Sequence, residues 1–163
     1  MTRTCRKAES SPSVSREPRT LPPELLAAGA RRLGIMALLS AFASVAMGVG
    51  SRLLGIHLGM PAPSGIVLFA EIAAIAASLG MFALTRRTGQ DCGELLDRGH
   101  VYEVGMGFLI AVTYHCWPAA PGQVPKGWSP VAVWLIAFAL FVPATRGKAA
   151  LATVGTALMD PLG

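Results

Sequence analysis

The chain has 163 residues, of which 53% are apolar and only 14% are charged. Soluble globular domains carry about 25% charged residues, so this composition and a mean hydropathy of +0.53 argue against an ordinary soluble domain. The net charge of +5 arises from basic residues in the N-terminal part and at the ends of apolar blocks, a distribution typical of membrane topology. The composition therefore predicts an all-α fold, a polytopic transmembrane helix bundle whose partner is the lipid bilayer and not a nucleic acid.

Two segments are predicted before the first apolar block. Residues 1–20 are rich in Arg, Ser, Pro and Glu, with Val14 as their one large aliphatic residue, and we expect a disordered basic arm in the cytoplasm. Residues 21–32 start with Leu-Pro-Pro-Glu, which is typical of a helix with proline in its first turn. A short juxtamembrane helix is therefore expected, ending at Arg31 and Arg32 on the membrane surface.

Four apolar blocks are predicted to cross the membrane, which makes residues 33–144 a four-span region. Residues 33–54 and 65–84 extend about 33 Å and about 30 Å as helices, enough for a hydrocarbon core about 30 Å thick. Residues 101–117 and 128–144 reach about 26 Å each, at the short end of the spanning range.

Residue types at the ends of these blocks predict the membrane surfaces, because tryptophan prefers the headgroup layer and arginine the cytoplasmic side. The predicted membrane-interface residues are Arg31, Arg32, Arg86, Arg87, Trp117 and Trp128. The final segment, 145–163, contains an apolar stretch of 11 residues. Because this stretch is too short to span, we expect it to be the start of a truncated fifth helix.

The positions of Lys and Arg predict the orientation. With four crossings, twelve of the 14 basic residues fall on one side of the membrane, and only Arg52 and Lys126 fall on the other. Cytoplasmic segments carry the basic excess. We therefore expect a multi-pass protein of the plasma membrane with both termini in the cytoplasm.

Glu71 is the residue whose predicted position is least favourable, because it lies about 10 Å inside the second span, where an acidic side chain normally faces protein or water. Ser78 follows seven residues later, on the same helix face. The first span has Ser40, Ser44 and Gly48 at four-residue spacing, a small-residue pattern that allows close helix packing. We expect the two spans to pack as a hairpin and Glu71, Ser44 and Ser78 to form an intramembrane polar site with a hydroxyl near Glu71.

Three roles for Glu71 stay open: a structural polar contact, a site that senses protons or ions, and a lipid-facing position without a role. Glu103, near the inner end of the third span, is close in sequence to Arg98 and His100. We interpret it as a boundary marker in a surface ion pair, which contributes little to stability.

Catalytic signatures are absent from the sequence. Residues 48–53 begin like GxGxxG but have Leu53 in the place of the third glycine. The sequences GxxxxGK[ST], HExxH and GxSxG do not occur, and neither do the HRD and DFG of a kinase. We therefore expect no catalytic residue, no metal site and no cofactor.

Two segments have a pattern that points to a family. The first is LLDRGHVYEV at 95–104, and the second is GWSP at 127–130, followed by Trp134, Phe138 and Phe-Val-Pro at 141–143. Together they resemble the N-terminal multi-span membrane region of bacterial transmembrane serine/threonine protein kinases of the myxobacterial type. The resemblance covers roughly residues 30–163 and implies six membrane helices ahead of a cytoplasmic kinase domain.

This resemblance implies a function in signal transduction. The chain is then a non-catalytic anchor and sensor in the bacterial inner membrane, where a signal shifts the helix packing around Glu71 and passes to a kinase domain beyond residue 163. Pairing with a second copy through transmembrane helices is the expected protein partner. The alternative is a self-contained small integral membrane protein, such as a transporter subunit, which predicts charged residues along a pathway.

Overall fold

The computed structural model describes residues 22–59, 62–87, 91–117, 129–143 and 146–159. Five α-helices and no strand occur in these ranges, which confirms the all-α prediction for this part of the chain. The predicted arm at residues 1–20, the predicted interface residue Trp128 and residues 160–163 of the predicted fifth helix lie outside the described residues.

The first helix, α1 (Pro23–Leu58), is continuous over 36 residues. Pro23 lies in the first turn, where its missing N–H leaves no helical hydrogen bond unmade. Gly59, with a φ of 62°, ends the helix in the left-handed conformation that glycine adopts without strain. No proline interrupts the helix after this start, so the predicted juxtamembrane helix at 21–32 and the first predicted span form one element.

Polar residues cap the next two helices, α2 (Gly65–Arg86) and α3 (Cys92–His115). The Ser64 hydroxyl accepts a hydrogen bond from a backbone N–H in the first turn of α2, at 3.5 Å. The Asp91 carboxylate does the same for α3, at 2.9 Å. Both side chains satisfy N–H groups that have no partner within the helix.

The last two helices, α4 (Pro130–Phe141) and α5 (Arg146–Met159), are short, with 12 and 14 residues. Pro130 begins α4. Pro143 follows shortly after the end of α4, and proline cannot continue a helix. The other short helix, α5, lies within the segment 145–163, where the sequence predicts a helix.

Two helices, α1 and α2, are long and apolar enough to cross a membrane, whereas the sequence predicts four spans. α3 is long enough, but its first two turns contain the charged residues Glu94, Asp97 and Arg98, which lower its hydropathy. α4 extends about 18 Å, less than the roughly 30 Å of a hydrocarbon core. In the most apolar 18-residue stretch of each helix, only 33% of the residues of α1 and 28% of those of α2 are buried. The core helix of a soluble protein is mostly buried, so neither helix resembles one.

α1 and α2 pack antiparallel, as the hairpin predicted for the first two spans. Gly34 lies against Thr85 near one end of the pair, and Gly48 lies against Glu71 nearer the other. A Cβ on Gly34 would be 2.5 Å from the Thr85 hydroxyl. The small residues of α1 therefore allow α2 to approach closely.

α3 is the central helix and contacts each of the other four. α4 runs antiparallel to it, since Trp134 lies beside Glu103 and Phe138, one turn later, lies beside His100. Helix direction thus reverses at each connection from α1 to α4.

α5 reverses the direction once more and runs parallel to α3. Lys148 pairs with Asp97 at 2.5 Å, and Thr156 lies against Gly107. Both contacts fall between α3 and α5 in the same order along the two helices, which defines their relative direction.

Apolar side chains occupy both the inside and the outside of the bundle. The largest members of the core include Leu33, Met36, Leu96, Met106, Trp134 and Phe138. Eight large side chains on the outer faces are at least 65% exposed: Phe42, Met47, Ile56, Phe69, Ile72, Val101, Leu140 and Leu151. The polar residues that do lie inside the bundle are therefore the candidates for function.

Candidate functional site

Glu71 on α2 forms an ion pair with Arg52 on α1. The Glu71 side chain is 11% exposed and that of Arg52 is 38% exposed, so the guanidinium lies closer to the surface than the carboxylate it neutralises. Gly48 makes room for the pair, because a Cβ there would lie 3.2 Å from the Glu71 Oε2 and 3.3 Å from the Arg52 Nη1. The expected partner of Glu71 is a serine hydroxyl, and the structure places Arg52 in that position.

The other two residues of the predicted polar site do not bond to Glu71. Ser44 is half-buried on α1. Ser78 is fully buried and hydrogen-bonds with the Tyr102 hydroxyl of α3 at 2.9 Å. The predicted stripe on α2 therefore makes two separate contacts, with Glu71 facing α1 and Ser78 facing α3.

The predicted helix-packing residues lie on the inner side of α1. Gly48 is buried, and Ser40 and Ser44 are half-buried. The Ser40 hydroxyl donates to the backbone carbonyl of Met36 at 2.9 Å. Serine in a helix commonly makes such a bond to the carbonyl one turn earlier, and the same hydroxyl also interacts with the Tyr102 hydroxyl of α3.

The predicted interface residues fall at opposite ends of the hairpin. The arginines are exposed at the end where α2 finishes, namely Arg31, Arg32, Arg86 and Arg87. The Arg86 guanidinium lies 4.9 Å from the ring centroid of Phe82. Trp117 is half-buried toward the other end and lines, with Arg52, a cavity of about 260 Å³.

A second carboxylate, that of Glu103 on α3, is buried more deeply than Glu71, with a side chain that is 4% exposed. His100, one turn earlier on the same helix, places its Nδ1 3.2 Å from the Glu103 Oε2. The interpretation of Glu103 as a surface ion pair near Arg98 is therefore wrong. Arg98 pairs instead with Glu94, at 2.6 Å on the exposed face of α3.

Aromatic side chains of α4 enclose this acidic residue. The Trp134 indole N–H donates to the backbone carbonyl of Glu103 at 3.0 Å. The same indole packs edge-on against Tyr102, with ring centroids 5.9 Å apart. Phe138 lies 6.0 Å from the His100 ring, centroid to centroid. The aromatic side chains of α4 therefore cover the His100–Glu103 pair on one side.

A cavity of about 270 Å³ adjoins the pair between α3, α4 and α5. Glu103 and His100 supply its charged and titratable groups, Thr153 supplies a hydroxyl, and Phe138 and Val142 supply apolar surface. Among the described residues, His100 is the one hydrogen-bond partner of the Glu103 carboxylate. Because a carboxylate has four lone-pair sites, Glu103 retains capacity to bind a further donor or a cation.

The sequence contains one signal for this site. His100 and Glu103 are three residues apart, so both lie on one face of a helix. The charged residues just before them favour a surface position instead, since Asp97 and Arg98 are typical of a helix end. Only the packing of α4 and α5 decides that the face with His100 and Glu103 turns inward.

The bundle thus holds two carboxylates in different settings. Glu71 is half-buried and pairs with the Arg52 guanidinium, whereas Glu103 is buried and contacts the His100 imidazole. No group of three His, Cys, Asp or Glu side chains in the described ranges is arranged to hold a metal ion. Comparison of the chain with protein-family models, with curated proteins and with solved structures finds no match.

Proposed function

We propose that this chain is an integral membrane region that crosses the bilayer several times. The observation that carries the proposal is the outward exposure of large apolar side chains on helices that pair Glu71 with Arg52 and Ser78 with Tyr102 inside the bundle. Water does not stabilise such a surface, whereas hydrocarbon does. Two helices of sufficient length and hydropathy support the same proposal.

The finer part of this proposal is four crossings between residues 33 and 144, with both termini in the cytoplasm. Alternating helix directions from α1 to α4 support it. The grouping of twelve Lys and Arg on one side against two on the other also supports it.

Labelling of single cysteines tests the orientation. In a variant with its three native cysteines replaced by alanine, we expect Ser64→Cys to react with a membrane-impermeant maleimide in intact cells. Arg87→Cys, at the opposite end of α2, should react only after lysis. Labelling of both positions from outside, or of neither, would contradict the crossing by α2.

We further propose that the membrane region anchors a cytoplasmic serine/threonine kinase domain to the membrane and senses the signal that controls it. The resemblance of residues 95–104 and 127–143 to the membrane region of such kinases supports this, and a cytoplasmic C-terminus is what it requires. The test is the mass of the native product in membranes, detected with an antibody to residues 1–20. A band larger by a whole domain is expected, whereas a band near 17.0 kDa would contradict the kinase assignment.

In this proposal Glu71 is the sensing residue. Glu71→Gln removes the charge and keeps the shape, whereas Glu71→Ala removes both. Equal phosphorylation by the two variants and the parent would show that Glu71 is only a structural contact.

A transporter subunit is the second candidate function. The observation that favours it is the pair of His100 and Glu103 on the wall of a cavity inside the bundle. Intramembrane carboxylates and histidines next to cavities are typical of ion and substrate pathways. Uptake measured in vesicles that contain the purified chain distinguishes this candidate from the sensor, which moves no solute.

A further inference from the structure

The cavity between α3, α4 and α5 is lined by a buried carboxyl group, that of Glu103. The Glu103 side chain is only 4% exposed. Its one hydrogen-bond partner among the described residues is the His100 Nδ1, at 3.2 Å. A hydrogen bond from a neutral imidazole N–H leaves a carboxylate with its full negative charge. A buried charge of this kind requires a counter-charge.

Among the side chains that the structure describes, no lysine or arginine pairs with the Glu103 carboxylate. α4 has no ionisable residue, and the Lys148 of α5 pairs with Asp97 on the exposed surface. The basic residue of α3 nearest in sequence, Arg98, pairs with Glu94. The arginines at the ends of α1 and α2 are exposed and make no ion pair with Glu103.

The lining of the cavity selects the chemistry of a ligand. Hard metal ions take six to eight oxygen ligands, and here the lining offers one carboxylate and the Thr153 hydroxyl. The Phe138 ring, next to His100, also lines the cavity, and aromatic rings attract organic cations. A volume of about 270 Å³ leaves room for a small organic molecule.

We propose that the cavity binds a small organic monocation of the ammonium class, with Glu103 as its counter-ion and Phe138 as its aromatic contact. The site does not depend on which of the two proposed functions holds.

Fluorescence of Trp134 reports on this site, because its indole bonds to the Glu103 carbonyl. The full chain carrying Trp117→Phe and Trp128→Phe, purified in detergent, leaves Trp134 as the one tryptophan. We titrate it with tetramethylammonium chloride against sodium chloride at constant ionic strength, and separately with tert-butanol, a neutral molecule of similar shape. A saturable change with tetramethylammonium alone is expected at pH 8.

Three variants examine the roles of the residues. Glu103→Gln should weaken binding by about tenfold or more, since a hydrogen-bonded charge is lost. Glu71→Gln is the matched control and should bind like the parent. Ala149→Phe places a ring in the cavity and should abolish binding with Glu103 intact. Circular dichroism checks that each variant is folded.

Equal binding by Glu103→Gln and the parent would overturn the proposal. The proposal would also be overturned if tert-butanol or sodium chloride changed the Trp134 fluorescence as much as tetramethylammonium does. A fluorescence change in the parent that does not saturate would overturn it as well.

Discussion

Arg52 neutralises Glu71 across the α1–α2 hairpin, and the two residues are 19 positions apart in the chain. The long arginine side chain bridges the helices while its charged end stays close to the surface of the bundle. Glu71 has no comparable freedom, because its carboxylate is held in the space that Gly48 leaves open.

We expect Arg52→Ala to lower the free energy of unfolding by about 1–2 kcal/mol, because it leaves the Glu71 carboxylate without its cation. Thermal unfolding in detergent micelles, followed by circular dichroism, measures the change. The double variant Arg52→Ala/Glu71→Ala should be more stable than the sum of the single effects, by a coupling of about 1 kcal/mol. Additive single effects would show that the pair contributes nothing.

Two glycines of α3 provide a matched comparison. A Cβ on Gly107 would overlap the Thr156 methyl group of α5, whereas a Cβ on Gly105 meets nothing within 4 Å. We expect Gly107→Ala to destabilise the bundle by about 1–3 kcal/mol through overpacking. Gly105→Ala should stabilise it by about 0.5–1 kcal/mol, since alanine favours helix.

The same unfolding measurement checks both glycine variants. Thr156→Ser removes the methyl group that a Cβ on Gly107 would contact, so it should restore part of the stability lost in Gly107→Ala. A Gly107→Ala variant as stable as the parent would contradict the close approach of α5 to α3.

At the scale of elements, α3 holds the bundle together by polar contacts as well as apolar ones. Tyr102 hydrogen-bonds with Ser78 of α2 and packs against Trp134 of α4. The hydroxyl makes the first contact and the ring makes the second, so one side chain of α3 links α2 and α4.

We expect Tyr102→Phe to lower the free energy of unfolding by about 1 kcal/mol, because the buried Ser78 hydroxyl loses its oxygen partner. The Met106 sulfur, at 3.8 Å, remains as a weaker one. Adding Ser78→Ala should recover part of the loss, since removing both polar groups leaves none unsatisfied. If the double variant is no more stable than Tyr102→Phe, the hydrogen bond is not the cause.

The helix ends show which local features were predictable. Proline at 23 and the break after residue 58 follow from local chemistry, and so do the caps Ser64 and Asp91. The continuity of α1 through residues 31 and 32 did not follow. Two arginines mark a surface by charge but do not interrupt a helix, since arginine is a good helix former.

For the molecule as a whole, the solvent on the outside is the property on which the proposed function depends. Phe42 is 73% exposed in the middle of α1. In water this exposure would be unfavourable, and in hydrocarbon it is favourable.

We expect Phe42→Lys to impair membrane insertion by about 2.5–3.5 kcal/mol, the range for lysine at a helix centre in a bilayer. The measurement is the fraction of chain that resists extraction from membranes by alkaline carbonate, with Phe42→Leu as the control. An exposed lysine in water would be harmless, so unchanged membrane retention and yield in Phe42→Lys would contradict the lipid-facing position.

The sequence by itself determined the helical class, the apolar blocks that became α1 and α2, and the concentration of basic residues at one end, because these depend on composition and on contacts a few residues apart. Tertiary structure decided the partners of the buried polar groups. Glu71 meets Arg52 and not Ser44, and Glu103 turns into a cavity with His100, because helices that are distant in sequence determine which face is enclosed.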